Sequence, residues 1–163
     1  MPLILIFIAI SLSPWFSLWD NALSDLGHAV KSSVAPIFNF ALALAGFLVG
    51  LFSIKYMVKY SVSKSVLLII IGFILILIGV YDEVYGELHT FISILFFIML
   101  IVYLVYYGLK DKTPYPVLVA MIQVIVWFIH YTQDIPPGAA LPELIAILSY
   151  IPFYTYDALK IGE

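Results

Sequence analysis

Along the chain, apolar residues run in long blocks separated by short polar intervals. A helix rises about 1.5 Å per residue and the hydrocarbon core of a bilayer is about 30 Å thick, so a spanning helix needs roughly 20 mostly apolar residues. Six blocks fit, at about 2–19, 35–57, 65–81, 88–108, 115–131 and 141–156. The pattern predicts an all-α polytopic membrane protein, a compact bundle of six transmembrane helices in one integral membrane domain over 1–163. Connections of a few residues leave no room for a soluble domain. The longest, from Asn21 to Val34, carries Ala22, Leu23, Leu26, Ala29 and Val30, an apolar stripe able to lie on the membrane or across the bundle as a lid.

Residues inside the blocks refine this picture. Pro14 removes a helical hydrogen bond and predicts a bend near Ser11 and Ser13. Gly46 and Gly50, four apart, and Gly72 and Gly79, seven apart, are spaced to let helix backbones approach closely. Trp15, Trp19, Tyr103, Tyr106, Tyr107, Tyr115, Trp127, Tyr131, Tyr150 and Tyr156 cluster toward block ends, as interfacial anchors do. The first block lacks the basic flank and Ala-x-Ala-like cleavage site of a secretory signal, so its retention is expected.

Composition narrows the class. Hydrophobic residues make up 64% of the 163 and charged ones 10%, where a soluble domain carries about a quarter charged, which excludes soluble globular and disordered readings. The formal charge of −3, with 7 Lys and no Arg, offers no basic patch for nucleic acid. With no Cys, disulfides, thiolate zinc sites and iron–sulfur clusters are excluded. Charge also sets an orientation. Six spans put Lys55, Lys59, Lys64, Lys110, Lys112 and Lys160 on one side and Lys31 alone on the other, so both termini are expected in the cytoplasm, with the plasma membrane as the host bilayer. Asp20, Asp25, Asp82, Glu83, Glu87, Asp134, Glu143 and all three His then fall on the outer side, which is where a functional face is expected.

Two segments carry a resemblance. One is Asn21-Ala22-Leu23-Ser24-Asp25-Leu26-Gly27 with Phe38-Asn39 further on, and the other is Asp82 followed by His89 and the Phe96-Phe97 pair. Over about residues 1–108 they resemble the six-span domain-of-unknown-function family 998, and more distantly the damage-regulated autophagy modulator superfamily. The family pattern has Phe-Pro before the acid of the third loop, where this chain reads Val80-Tyr81-Asp82. The resemblance implies a compact six-helix bundle and no established reaction.

The candidate chemistry has two parts. Asn21, Ser24, Asp25 and Gly27 form the loop motif, whose residue types suit turns and caps. Asn39, Asp82, His89, Ser93, Gln123, His130 and Glu143 come from separate spans and could line an outward-opening pocket, with His89 paired to Asp82 or Glu87. Gln123 could equally serve as interhelical hydrogen-bond glue. Binding of a lipid headgroup or small amphiphile, without catalysis, is the expected function. The first alternative is a membrane-embedded, metal-dependent lipid hydrolase with zinc on His28, His89 and His130. No paired-His motif supports that set, and no cofactor is expected. The second alternative is a packing subunit of a larger membrane complex. Expected partners are the bilayer, a lipid ligand, and a second copy or a complex partner.

Overall fold

The computed structural model describes residues 1–162. It is built from six helices: α1 (Pro2–Ser11), α2 (Ala35–Tyr60), α3 (Val62–Val80), α4 (Glu87–Lys110), α5 (Tyr115–Gln133) and α6 (Ala140–Gly162). Two 3-10 turns, Leu23–Gly27 and Glu83–Tyr85, lie between them. Four helices, α2 to α5, are long and apolar enough to cross a membrane. Their outward faces are apolar too: Phe40, Phe47, Ile54, Phe73, Phe91 and Phe128 are all exposed. Contiguous apolar surface on this scale requires a nonaqueous solvent, so the chain is an integral membrane protein.

The first and last spans depart from expectation. The predicted helix over 2–19 stops at Ser11, giving 10 residues and about 15 Å, half the hydrocarbon thickness. Pro14 ends this helix instead of bending it, because its ring excludes the Ile10 carbonyl and disfavours helical backbone at Ser13. The chain leaves through a turn in which Ser13 N donates to Ile10 O. Helix α6 has the length, at 23 residues, but Glu143, Asp157, Lys160, Pro152 and three tyrosines dilute its apolar residues and keep it out of the set of four.

Helices α2 and α3 pack most extensively. A Cβ on Gly46 would lie 2.2 Å from the Gly72 carbonyl oxygen, one on Gly72 2.6 Å from the Gly46 oxygen, and one on Gly79 2.7 Å from the Asn39 oxygen. Only glycine permits that approach. Gly50 differs from expectation: a Cβ there would meet nothing within 4 Å, so its side-chain direction faces away from the seam. Near the end of α2 a π-helical segment, Ser53–Met57, turns the Ser53 carbonyl to the Ser65 hydroxyl of α3, 2.8 Å away.

The bundle has two polar ends. The basic end holds the α2–α3 and α4–α5 connections and the end of α6. Here Lys64 is fully buried, with Nζ 2.7 Å from Asp111 Oδ2 and 3.1 and 3.0 Å from the two oxygens of Asp157, itself 0% exposed. The hydroxyls of Tyr103 and Tyr107 donate to Asp157 at 3.2 and 3.1 Å, and the Tyr107 ring centroid is 3.5 Å from the Lys64 ammonium. Lys64 is therefore an internal cross-link of α3, α4 and α6, not one of the surface lysines of this side. Tyr103, Tyr107 and Tyr150, expected as interfacial anchors, are buried, whereas Trp15, Trp19, Tyr115, Tyr131 and Tyr156 are exposed.

Candidate functional site

The acidic end is assembled by the long first connection. Asn21 accepts from Ser17 N at 2.9 Å through Oδ1 and donates to Asp25 Oδ2 at 2.8 Å, and the same Asp25 oxygen accepts Ala22 N at 3.0 Å. These bonds close the turn that follows, and so Asn21 and Asp25 act as turn-formers. Leu23, Leu26 and Gly27 are buried across the bundle, while Ala29 and Val30 are exposed, so the five-residue apolar stripe does not form. Gly27 O accepts from Asn39 Nδ2 at 2.9 Å, and a Cβ on Gly27 would lie 2.4 Å from Asn39 Oδ1. Asn39 thus anchors the loop to α2. A second loop stacks on the first: Gly138 N donates to Trp19 O and Ala140 N to Asn21 O, both at 2.9 Å.

Beneath these loops α4 and α5 diverge and leave a cavity of about 690 Å³. Its wall on α4 is His89, Thr90, Ser93, Ile94, Phe97, Ile98 and Ile101, one helical face about 18 Å long. Val124, Trp127, Phe128, Tyr131 and Thr132 of α5 face them. Ser24, Glu83 and Glu143 close the loop end. The cavity is therefore graded, from carboxylates and hydroxyls under the loops to an apolar groove between two lipid-facing helices. Ile98 and Phe128, on opposite walls, are both exposed at the bundle surface, so the groove opens sideways toward lipid.

Of the seven predicted pocket residues, His89, Ser93 and Glu143 line this cavity; the other four do not. Asn39 holds Gly27. Asp82 caps the short turn before α4, accepting Val84 N at 2.9 Å, and is not the partner of His89. Gln123 donates to Ala146 O at 3.2 Å and Ser149 Oγ at 2.9 Å, tying α5 to α6. His130 Nδ1 donates to Pro136 O at 2.8 Å and fixes the last loop. His89 Nδ1 donates to Tyr81 O at 2.8 Å, and its Nε2 lies 3.3 Å from the Ser93 hydroxyl. Nδ1 of His28 accepts from Val30 N and Lys31 N. Among the described residues no three His, Asp or Glu side chains are grouped to hold a metal ion, so His28, His89 and His130 do not form the zinc set considered from sequence. Their ring nitrogens are turned to local loop and helix partners instead.

Glu83 is the site residue that sequence reasoning passed over. It is half-buried on the turn Glu83–Tyr85, and its Oε2 is buried with no hydrogen-bond partner. Burial first, and then the nearby Asp25 carboxylate, both as a like charge and as the hydrogen-bond partner of protonated Glu83, push its pKa from 4.5 up to about 7, against the opposing pull of Lys31. Glu143 is 8% exposed; its Oε2 accepts Leu23 N at 2.7 Å, which docks the first loop onto α6. The signal for Glu83 was present in the run Asp82-Glu83, where the second acid has no capping duty.

These features define a helical integral membrane protein with a graded cleft at one end. The chain belongs to the family described as Protein of unknown function (DUF998), whose profile matches residues 1–155, and the match extends through α5 and most of α6. Comparison with curated proteins and with solved structures gave no match.

Proposed function

We propose that this protein binds a small amphiphile in the cleft between α4 and α5, with the polar head under the loops and the tail along the groove, and that it does so without catalysing a reaction. The observation carrying this reading is the grading of one cavity from Glu83, Glu143, Ser24 and Ser93 to Phe97, Ile98, Ile101, Val124 and Phe128. A ligand site needs an apolar wall with a few convergent polar groups, and a volume of about 690 Å³ lies within the usual range of about 300–1,000 Å³. The sideways opening suits a ligand that arrives from the bilayer. In the same reading α1 and α6 complete a six-helix membrane bundle. The acidic end faces out of the cell across the plasma membrane and the C-terminus is cytoplasmic, while α1, at about 15 Å, reaches only part of the way across. Supporting that orientation, Lys55, Lys59, Lys110, Lys112 and Lys160 are exposed at the basic end against Lys31 at the other.

Native mass spectrometry of the protein in mild detergent tests the binding. An amphiphile should accompany the wild-type chain and be lost when Ile98→Trp fills the groove. A wild-type chain free of amphiphile, or retention of the same species by the variant, refutes the reading.

A further inference from the structure

The proposed cleft differs from a general lipid groove in the sign of its polar end. No lysine lines it, and the chain contains no arginine. Its polar lining is made of two carboxyls, Glu83 and Glu143, the hydroxyls of Ser24, Thr90, Ser93, Tyr131 and Thr132, the unpartnered indole N–H of Trp127, and His89, whose Nδ1–H is already given to Tyr81 O. One buried Glu83 oxygen has no donor, the carboxyl lying against Asp25, with which its protonated form hydrogen-bonds, and one Glu143 oxygen takes only the Leu23 amide. The lining thus carries carboxyls and no lysine or arginine in a partly desolvated place, where an anionic head would meet like charge at low dielectric and a cationic head would meet charge-assisted hydrogen bonds.

Resting on the amphiphile-binding reading, we infer that the ligand is a cationic single-chain amphiphile whose ammonium group is held between Glu83 and Glu143 while its alkyl chain lies against Ile94, Phe97, Ile98 and Phe128. Trp127 and Tyr131, beside the head region on α5, add aromatic faces suited to a cation. Burial and the like charge of Asp25 raise the Glu83 pKa, and a cation joining the site relieves that crowding. Glu83 faces Asp25 and Lys31 of the first loop, Asp82 of its own turn, Glu143 of α6 and His89 of α4. Amine binding should accordingly strengthen as pH rises through about 7 and Glu83 ionises.

The test uses the full chain in phosphatidylcholine nanodiscs and three probes of equal chain length, tetradecylamine, tetradecanol and tetradecyl phosphate, with affinity read from the thermal shift each produces. The amine should bind at least tenfold more tightly than the alcohol, and the phosphate more weakly than either. Glu83→Gln should remove most of the amine's advantage over the alcohol. Glu143→Gln should do the same if the first loop still docks, and Glu83→Gln decides the matter if it does not. Repeating the titration in phosphatidylethanolamine discs tests the single-chain assignment: equal amine binding there upholds it, and weaker binding, which shows a two-chain zwitterionic aminolipid competing for the site, overturns it. If the three heads bind equally, or the phosphate binds best, the cation assignment is overturned while amphiphile binding stands. If none binds, both fall.

Discussion

At the basic end, Lys64 and Asp157 are both wholly buried, and their polar atoms meet one another, Asp111, Tyr103 and Tyr107. At the acidic end, Glu83 and Glu143 line a cavity, and one oxygen of Glu83 is buried without a donor. Both ends place ionisable groups in or beside apolar surroundings, which is costly unless each group is matched. Where donors and acceptors balance across three helices, the group is a cross-link and leaves nothing to recognise a ligand. Where carboxyls stand beside an open groove without such matching, the same chemistry is left free to meet an occupant. The matching of each charge by its neighbours, more than the presence of buried charge, distinguishes the two ends of this bundle.

Breaking the balanced end should have the largest effect. Lys64→Met leaves the Asp157 carboxylate buried among apolar groups and tyrosine hydroxyls, and removal of one partner of a buried pair costs about 3–5 kcal/mol. Loss of the folded peak in size-exclusion chromatography, or a steep fall in Tm, is expected. Lys64→Met combined with Asp157→Leu should recover much of the loss, since no charge is then stranded. If the single variant melts like wild type, the network is not a cross-link and the contrast between the two ends fails.

The α2–α3 seam carries neither end's charges and calibrates what packing alone is worth. Gly46→Ala forces a Cβ to within 2.2 Å of the Gly72 oxygen, a backbone atom that cannot swing aside. A loss of about 1–3 kcal/mol follows from overpacking. Gly50→Ala meets nothing within 4 Å and should be neutral or gain about 0.5–1 kcal/mol from helix propensity. Thermal melts of the pair in one detergent decide this, and equal destabilisation by both would place Gly50 in the seam after all.

Local information made part of this structure legible. The helical blocks α2 to α5, the small-residue faces of Gly46 and of Gly72 and Gly79, and the turn chemistry of Asn21 and Asp25 all rest on spacing or contacts within one helix or loop. The Lys64–Asp157 bond joins residues 93 apart, and from sequence Lys64 is indistinguishable from the exposed lysines around it. Tyr103 and Tyr107 read as interfacial anchors because a tyrosine near a helix end fits that role equally well; only the buried carboxylate facing them shows otherwise. His130 and Gln123 were placed on the correct helix, yet which side of α5 faces α6 and which faces the cleft depends on packing that periodicity does not specify.

The smallest effect is the most direct measure of the unbalanced end. The Glu83 carboxyl is held near 7 in the folded chain against 4.5 when unfolded, by burial first and then by Asp25 and Asp82, with Lys31 opposing. Between those values the folded state binds more protons than the unfolded one, so stability is full below about 4.5 and declines as pH rises through about 7. Glu83→Gln keeps the shape and removes the titration. Its Tm should vary less between pH 5 and pH 8 than that of wild type, and should exceed wild type at pH 8. Because the side chain is only half-buried, solvent screening limits the gain to about 2–4 °C, the shift that about 1 kcal/mol produces in a chain of this size. The matching change at the basic end, Asp157→Asn, removes a bonded charge and should lower Tm at both pH values. Opposite signs for two carboxylate-to-amide changes in one protein would establish that one carboxylate holds the fold together while the other strains it. A lower Tm for Glu83→Gln at pH 8 would instead make Glu83 a structural group of the same kind as Asp157.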